Sequence, residues 1–334
     1  MRSRLNSSAM LAVAILLTST GSFFAGANRA TAGEASAELI APLVDRQTLV
    51  VGHIDLRAFD AMETVDWAAE LFELPDASRD HMQADVAPIK LLTQALPDDA
   101  TVDVYIFSSL LDFGRLPFFL ALPLKGHTPA AAISSEVRRD LEKDFGRTLQ
   151  TETVGDVLIT GSPETIERLK KAPPVDRPEI AAAFAAVGPG AVQLAFVPSA
   201  ELRKLAETLV PKLPQSIGGG PTKTFTQGVT WVATTIDLPP EEVAIRIIIQ
   251  STDAEAATAL ASEIEKLFQT VGQLPQVREA VPEFDEHAKK LLPIASGDQL
   301  KLELTEANGG IAALTTIAGP LSQTLRTATS AKQP

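Results

Sequence analysis

The stretch Thr48–Phe72, TLVVGHIDLRAFDAMETVDWAAELF, passes from a strand-like segment into a helix-like one. Thr48 to Ile54 is rich in β-branched and aliphatic side chains, which pack well on a pleated surface, so a strand is expected there. Asp60 followed three residues later by Glu63 fits a capping box, and Val65, Ala68, Ala69 and Phe72 recur at helical spacing. A similar unit returns downstream. Ala191 to Val197 reads as a strand, Ser199 as an N-cap, and Leu202, Leu205, Ala206, Leu209 and Leu213 as one apolar helix face.

Outward from the first unit, the polar stretch Pro75 to Asp85 precedes a helix expected through Val86, Ile89, Leu92 and Leu96. Strands are expected at Thr101 to Ser108 and Phe118 to Leu124, and Thr128-Pro129 offers a helix start because proline at the first position needs no donor. Gly155-Asp156 suits a two-residue hairpin between Leu149–Val154 and Val157–Thr160, and Pro163 opens a helix over Glu164 to Lys171. The proline-rich run Ala172 to Pro178 reads as a linker, and Ile180 to Val187 as a helix.

Outward from the second unit, Pro214 to Thr222 reads as a loop and Thr224 to Asp237 as a strand, with a turn at Pro239-Pro240. Glu242 to Gln250 follows as a strand, and Thr252 with Glu255 forms a capping box for a helix to Gln273. A helix over Glu283 to Ile294 precedes strands Gln299 to Thr305 and Ile311 to Ile317 around Asn308-Gly309-Gly310, and Pro320 opens a terminal helix. Each half thus reads β-α-β-β-α-β-β-α. The expected class is α+β: two tandem βαββαβ-like units of the split βαβ, ferredoxin-like kind, with mainly antiparallel sheet and helices packed on one face. The divisions are a signal peptide over 1–32, a first repeat over 33–171, a linker and short helix over 172–190, and a second repeat over 191–330.

The openings VVGHIDLRAFD and VQLAFVPSAELRKLA, in an acidic chain without cysteine, resemble exported bacterial proteins of planctomycete type, a group of unknown function built from such repeats. The resemblance implies export and a repeated fold, and lends no catalytic residues.

Arg2 and Arg4, the apolar run Ala9 to Leu17 and the Ala-Thr-Ala at Ala30 to Ala32 have the order of a secretory signal peptide, with Ala25-Gly-Ala27 as an earlier cleavage site. That apolar run is shorter than the roughly 20 residues a bilayer crossing needs, so no transmembrane anchor is expected after cleavage. Cleavage after Ala32 would leave 26 of the 29 basic residues against 42 acidic ones, a net charge of −16. Such a field repels phosphate backbones, so nucleic acid is excluded as a partner. The absence of cysteine excludes disulfides, thiolate nucleophiles and thiolate metal sites.

His53 and Asp55, two apart on a strand, share a face and could form a base dyad or half a metal site. The simpler reading has Asp55 ending the strand and His53 partly buried. Glu283 and His287, four apart on a helix, could present ligands on one face, yet EFDEHAKK also suits a solvated helix. His81 and His127 fall in polar loops. Gly218 to Thr224, GGGPTKT, has the wrong spacing for a phosphate loop. Trp67 and Trp231 lie in apolar elements and are expected in the core.

No catalytic, cofactor-binding or metal residue is assigned, and no cofactor is expected. The leading expectation is an exported, soluble protein of periplasm or extracellular space, a non-catalytic binding or structural module whose partner is a protein or envelope component. The alternatives are a hydrolase or metal-dependent enzyme centred on His53 and Asp55, and a carrier of apolar ligands.

Overall fold

The computed structural model describes residues 40–72, 74–94, 102–112, 118–124, 130–171, 173, 175–213 and 219–318. The expected signal segment, His127, the Thr128-Pro129 helix start and the helix expected from Pro320 lie outside them.

β1 (Thr48–Asp55) leads to α1 (Ala61–Leu71), where the Asp60 side chain caps by accepting from the Met62 and Glu63 amides. α2 (Asp76–Gln94) begins ten residues before the apolar positions that signalled it. Its polar first turns are held by α1, since Arg79 Nε lies 3.1 Å from Asp66 and Gln83 donates to Asp66 at 2.8 Å. β2 (Asp103–Ser109), β3 (Phe119–Pro123), α3 (Ala130–Phe145), β4 (Gln150–Val154), β5 (Val157–Gly161) and α4 (Pro163–Lys171) follow. The β4–β5 hairpin turns at Gly155, whose φ of 60° lies in the left-handed region that glycine tolerates best.

α5 (Pro178–Val187) enters the second half, followed by β6 (Val192–Phe196) and α6 (Ala200–Leu209), capped by Ser199. The strand expected over Thr224 to Asp237 divides into α7 (Thr222–Gly228) and β7 (Trp231–Asp237). The β-branched run was misleading because Gly228 lets α7 lie directly against Leu260. Then come β8 (Ala244–Gln250), α8 (Ala254–Gly272), α9 (Pro275–Ala280), α10 (Phe284–Lys290), β9 (Ile294–Ser296), β10 (Gln299–Leu304) and α11 (310–318).

Two further expectations change there. The helix expected to Ile294 stops at Lys290, and Ile294 starts a strand that pairs with β10. The strand expected at Ile311 to Ile317 is helical. Asn308 does not make a hairpin turn; its Oδ1 accepts from the Thr305 and Gly310 amides at 2.9 and 2.8 Å and leads the chain into α11. Ile311, Leu314 and Ile317 are buried at helical spacing.

The structure is mixed helix and strand around an antiparallel sheet. Ten strands form one sheet in the order β4-β5-β3-β2-β1-β6-β7-β8-β10-β9. Each half has its first, second, third, fifth and fourth strands in that order, and the halves meet where β1 pairs antiparallel with β6. This corrects the ferredoxin-like expectation. A split βαβ sheet puts the third strand between the first two, whereas here β1 pairs directly with β2 and β6 with β7.

The helices also cover both faces, not one. Side chains alternate along a strand. Val51, Tyr105, Phe107, Phe119, Ala121, Ala195 and Ala233 pack on one face beneath Ile166 and Leu169 of α4 and Ala183 and Phe184 of α5. Val104, Leu120 and Leu122 point the other way, onto Ile133 and Leu141 of α3. Every residue of β3 is consequently buried, which needs a layer on each side. Arg177, in the expected linker, joins the halves by donating to the Asp45 and Thr48 carbonyls at 3.1 and 3.3 Å and to the Val197 carbonyl at 2.8 Å.

Candidate functional site

His53 sits at the seam of the sheet. Its cross-strand neighbours are Tyr105 on β2 and Gln193 on β6, and the same row continues through Thr235 and Arg246 to Glu303. This row crosses the face that carries α5, close to that helix's C-terminal end. Arg246 Nη1 donates to the Val187 carbonyl, and Gln193 Nε2 donates to the Gly188 carbonyl at 2.7 Å. The last carbonyls of a helix lack intrahelical partners, so these two side chains complete α5.

The bond from Gln193 to Gly188 also fixes its amide. The other end, Oε1, faces His53 Nδ1 at 3.0 Å and can only accept. His53 Nε2 lies 2.7 Å from Asp103 Oδ1, a carboxylate that also accepts. Both ring nitrogens are therefore engaged, Nδ1 by Gln193 and Nε2 by Asp103. The Tyr105 ring lies beside the imidazole, with centroids 4.9 Å apart and planes tilted by 30°. His53 is 7% exposed.

The expected His53–Asp55 dyad does not form in this arrangement. Asp55 pairs across strands with Asp103, and its Oδ1 accepts from the Arg57 amide at 3.0 Å, turning the chain out of β1. Asp103 is the residue that reaches His53, diagonally across the β1–β2 ladder. With both ring nitrogens engaged, His53 presents no free nitrogen in this arrangement. Among the described residues, no group of three or more histidines and carboxylates could hold a metal ion.

One row along, Asp237 lies at the end of β7, beside the backbone of Gly190. Burial pushes its carboxyl above the ordinary range, Arg246 draws it down, and Glu241 adds to the rise. A raised carboxyl can mark an acid catalyst. Here the crossing backbone occupies the space above it: a Cβ on Gly190 would collide with Thr235 Oγ1 and stand 3.0 Å from Asp237 Oδ1.

The remaining sequence candidates are dispersed. His81 is exposed on α2, 3.7 Å from Asp85. Glu283 precedes α10 as an exposed residue, its carbonyl accepting from the His287 amide. The described part of GGGPTKT is tied to the end of α6: Gly220 O accepts from Leu213 N at 2.9 Å, and Thr222 N donates to Pro211 O at 3.2 Å. Those groups join two helices and do not form an anion cradle. Trp231 is buried, and Trp67 packs half-buried against the other-face cluster, as expected of core residues.

A groove of about 420 Å³ runs along α4, lined by Pro163, Glu164, Glu167, Arg168 and Lys171. Among the described residues, no helix is long and apolar enough to cross a membrane.

Two residues central to the cluster, Asp103 and Gln193, are absent from the sequence candidates. Gln193 interrupts the otherwise apolar VQLAF, while Asp103 opens DVYIFSS, and those polar positions on the strands were the available signal. Compared with protein-family models, with curated proteins and with solved structures, the chain matches none.

Proposed function

We propose that the protein is an exported, acidic, non-catalytic binding or structural module of the cell envelope, acting on a protein or envelope component of the periplasm or extracellular space. Its framework is a tandem duplication of one unit. Support for the duplication comes from the repeated first-second-third-fifth-fourth strand order on either side of the β1–β6 seam.

The observation that carries the non-catalytic reading is the state of His53. The histidine best placed for chemistry spends both ring nitrogens on Asp103 and Gln193, and Gln193 spends its own donor on the end of α5. The cluster joins β1, β2, β6 and α5, so its work is structural. Asp55, the other half of the imagined dyad, is engaged in turning the chain.

The test is a panel of esterase, peptidase, phosphatase and glycosidase substrates, with and without added divalent metals, applied to the wild-type protein and to Asp55→Asn. The reading expects turnover at the level of the blank for both proteins. Turnover in the wild type that disappears in Asp55→Asn would favour the hydrolase alternative.

A further inference from the structure

α6 is amphipathic, but its orientation is reversed from that of an ordinary surface helix. None of its residues is buried. Its polar side holds the neighbouring helix: Arg203 Nη1 donates to the Thr226 carbonyl at 3.0 Å, and Glu207 accepts from the Thr226 hydroxyl. Its apolar side points outward, with Leu205 51% and Leu209 69% exposed. Val210, 46% exposed, follows directly at the C-cap of that helix. Contiguous apolar surface of this kind marks an interaction site more often than scattered single residues do.

The first half indicates what belongs there. α1 holds the same place after the first strand as α6 holds after β6, and α1 is covered by α2 through Val65, Met82 and Val86. Counted from the N-caps Asp60 and Ser199, Leu205 and Leu209 stand where α1 carries Asp66 and Glu70. Those two carboxylates are the residues that α2 reaches with Arg79, at 3.1 and 3.6 Å, and Asp66 also accepts from Gln83. In the second half the helix after α6 is the seven-residue α7, which packs on the opposite, polar side.

Where α1 takes α2 at Asp66 and Glu70 with ion pairs and a hydrogen bond beside an apolar seam, α6 offers Leu205 and Leu209 at the corresponding positions. We infer that the exposed face of α6 is the docking surface for an amphipathic helix of a partner protein, laid along Leu205 and Leu209 with an apolar seam. A membrane surface suits the face less well. α6 is only about 15 Å long, Glu201 and Glu207 offset Arg203 and Lys204, and the net charge of −13 opposes anionic headgroups. The inference rests on the binding-module reading and gives it a site and a class of partner.

The probe is a synthetic peptide of residues 74–94 carrying R79L and Q83L, fluorescently labelled and titrated with the full protein. Binding is expected with the wild type, at least tenfold weaker for the unsubstituted 74–94 peptide, and lost in the L205D/L209D variant. Circular dichroism should give both proteins the same spectrum and closely similar melting temperatures, because the substituted side chains are mostly exposed. Equal binding by the wild type and L205D/L209D, or no binding at all, overturns the inference. So does preferential binding of the wild type to anionic vesicles through this face, or its self-association in sedimentation abolished by L205D/L209D. The hydrolase panel above is unaffected by any of these results, so failure of the docking site and failure of the non-catalytic reading are told apart.

Discussion

Arg168 offers the sharpest mutational test of how the first half is held. It extends from α4 between two carboxylates: Nη2 reaches Asp112 at 2.7 Å, and Nη1 pairs with Asp45. Asp112 is 2% exposed at its side chain and also accepts from Thr165 Oγ1 at 2.7 Å. Asp45 accepts from the Gln47 amide at 2.8 Å and the Thr48 hydroxyl at 3.0 Å. Arg168 thus binds the entry to β1 and the turn after β2 to α4. Arg168→Met keeps much of the stem but leaves two buried carboxylates without their cation. Removing one partner of a buried pair typically costs about 3–5 kcal/mol, because the remaining charge is uncompensated. The variant should therefore lose about 3–5 kcal/mol at pH 7. Urea unfolding at pH 7 followed by the fluorescence of Trp67 and Trp231 measures the loss, with exposed Glu167→Gln as the control. A loss below about 1 kcal/mol would refute the view that this triad is a buried electrostatic tie.

Further outcomes follow from single residues. Asp60→Ala removes the cap of α1 and the 2.8 Å bond from Lys90, and should cost about 1–2 kcal/mol in urea melts. The Lys90 bond holds the Asp60 carboxyl below its ordinary range. Its contribution is therefore present above the unfolded value of about 3.9 and lost as pH falls through the lower folded value. Asp237 has the opposite sign, because burial raises its carboxyl in the folded protein. Stability falls as pH rises from the unfolded value of about 3.9 towards the higher folded one, so Asp237→Asn should raise the melting temperature at pH 7 and leave it unchanged at pH 3. Gly190→Ala forces a methyl group into Thr235 and should cost about 1–3 kcal/mol by thermal melting.

The elements that could be read from the sequence were those whose signal is local. Asp60 and Ser199 cap as their residue types suggest, and Gly155 turns the hairpin. The reciprocal half of the first capping box does not form in that way, since the Asp60 amide donates to the Pro239 carbonyl at 2.7 Å, a partner far away in sequence. At α8 the cap is Asp253 in place of Thr252, one residue later.

Errors concentrated where two periods were compatible with the same residues. Thr222 to Gly228 looked strand-like by composition, and Ile311 to Ile317 looked like the second arm of an Asn-Gly hairpin until Asn308 folded back on Thr305. The antiparallel sheet was legible in the hairpins, but strand order depends on long-range pairing, and β1 meets β6 across more than 130 residues. The histidine was found by residue type, whereas its partners required the register that sets His53 between Asp103 and Gln193. Likewise, the α6 periodicity revealed an apolar face without revealing that α7 would take the polar side and leave Leu205 and Leu209 outside.

The central claim, that the best-placed histidine is a structural tie with both ring nitrogens engaged and not a base, is tested most directly by the reactivity of the His53 ring. Diethyl pyrocarbonate applied to the folded full protein, with the modified peptides read by mass spectrometry, should label exposed His81 and leave His53 unmodified, and Gln193→Met should make His53 more reactive. Labelling of wild-type His53 as fast as His81 would contradict the account, because a ring nitrogen would then be open to reaction.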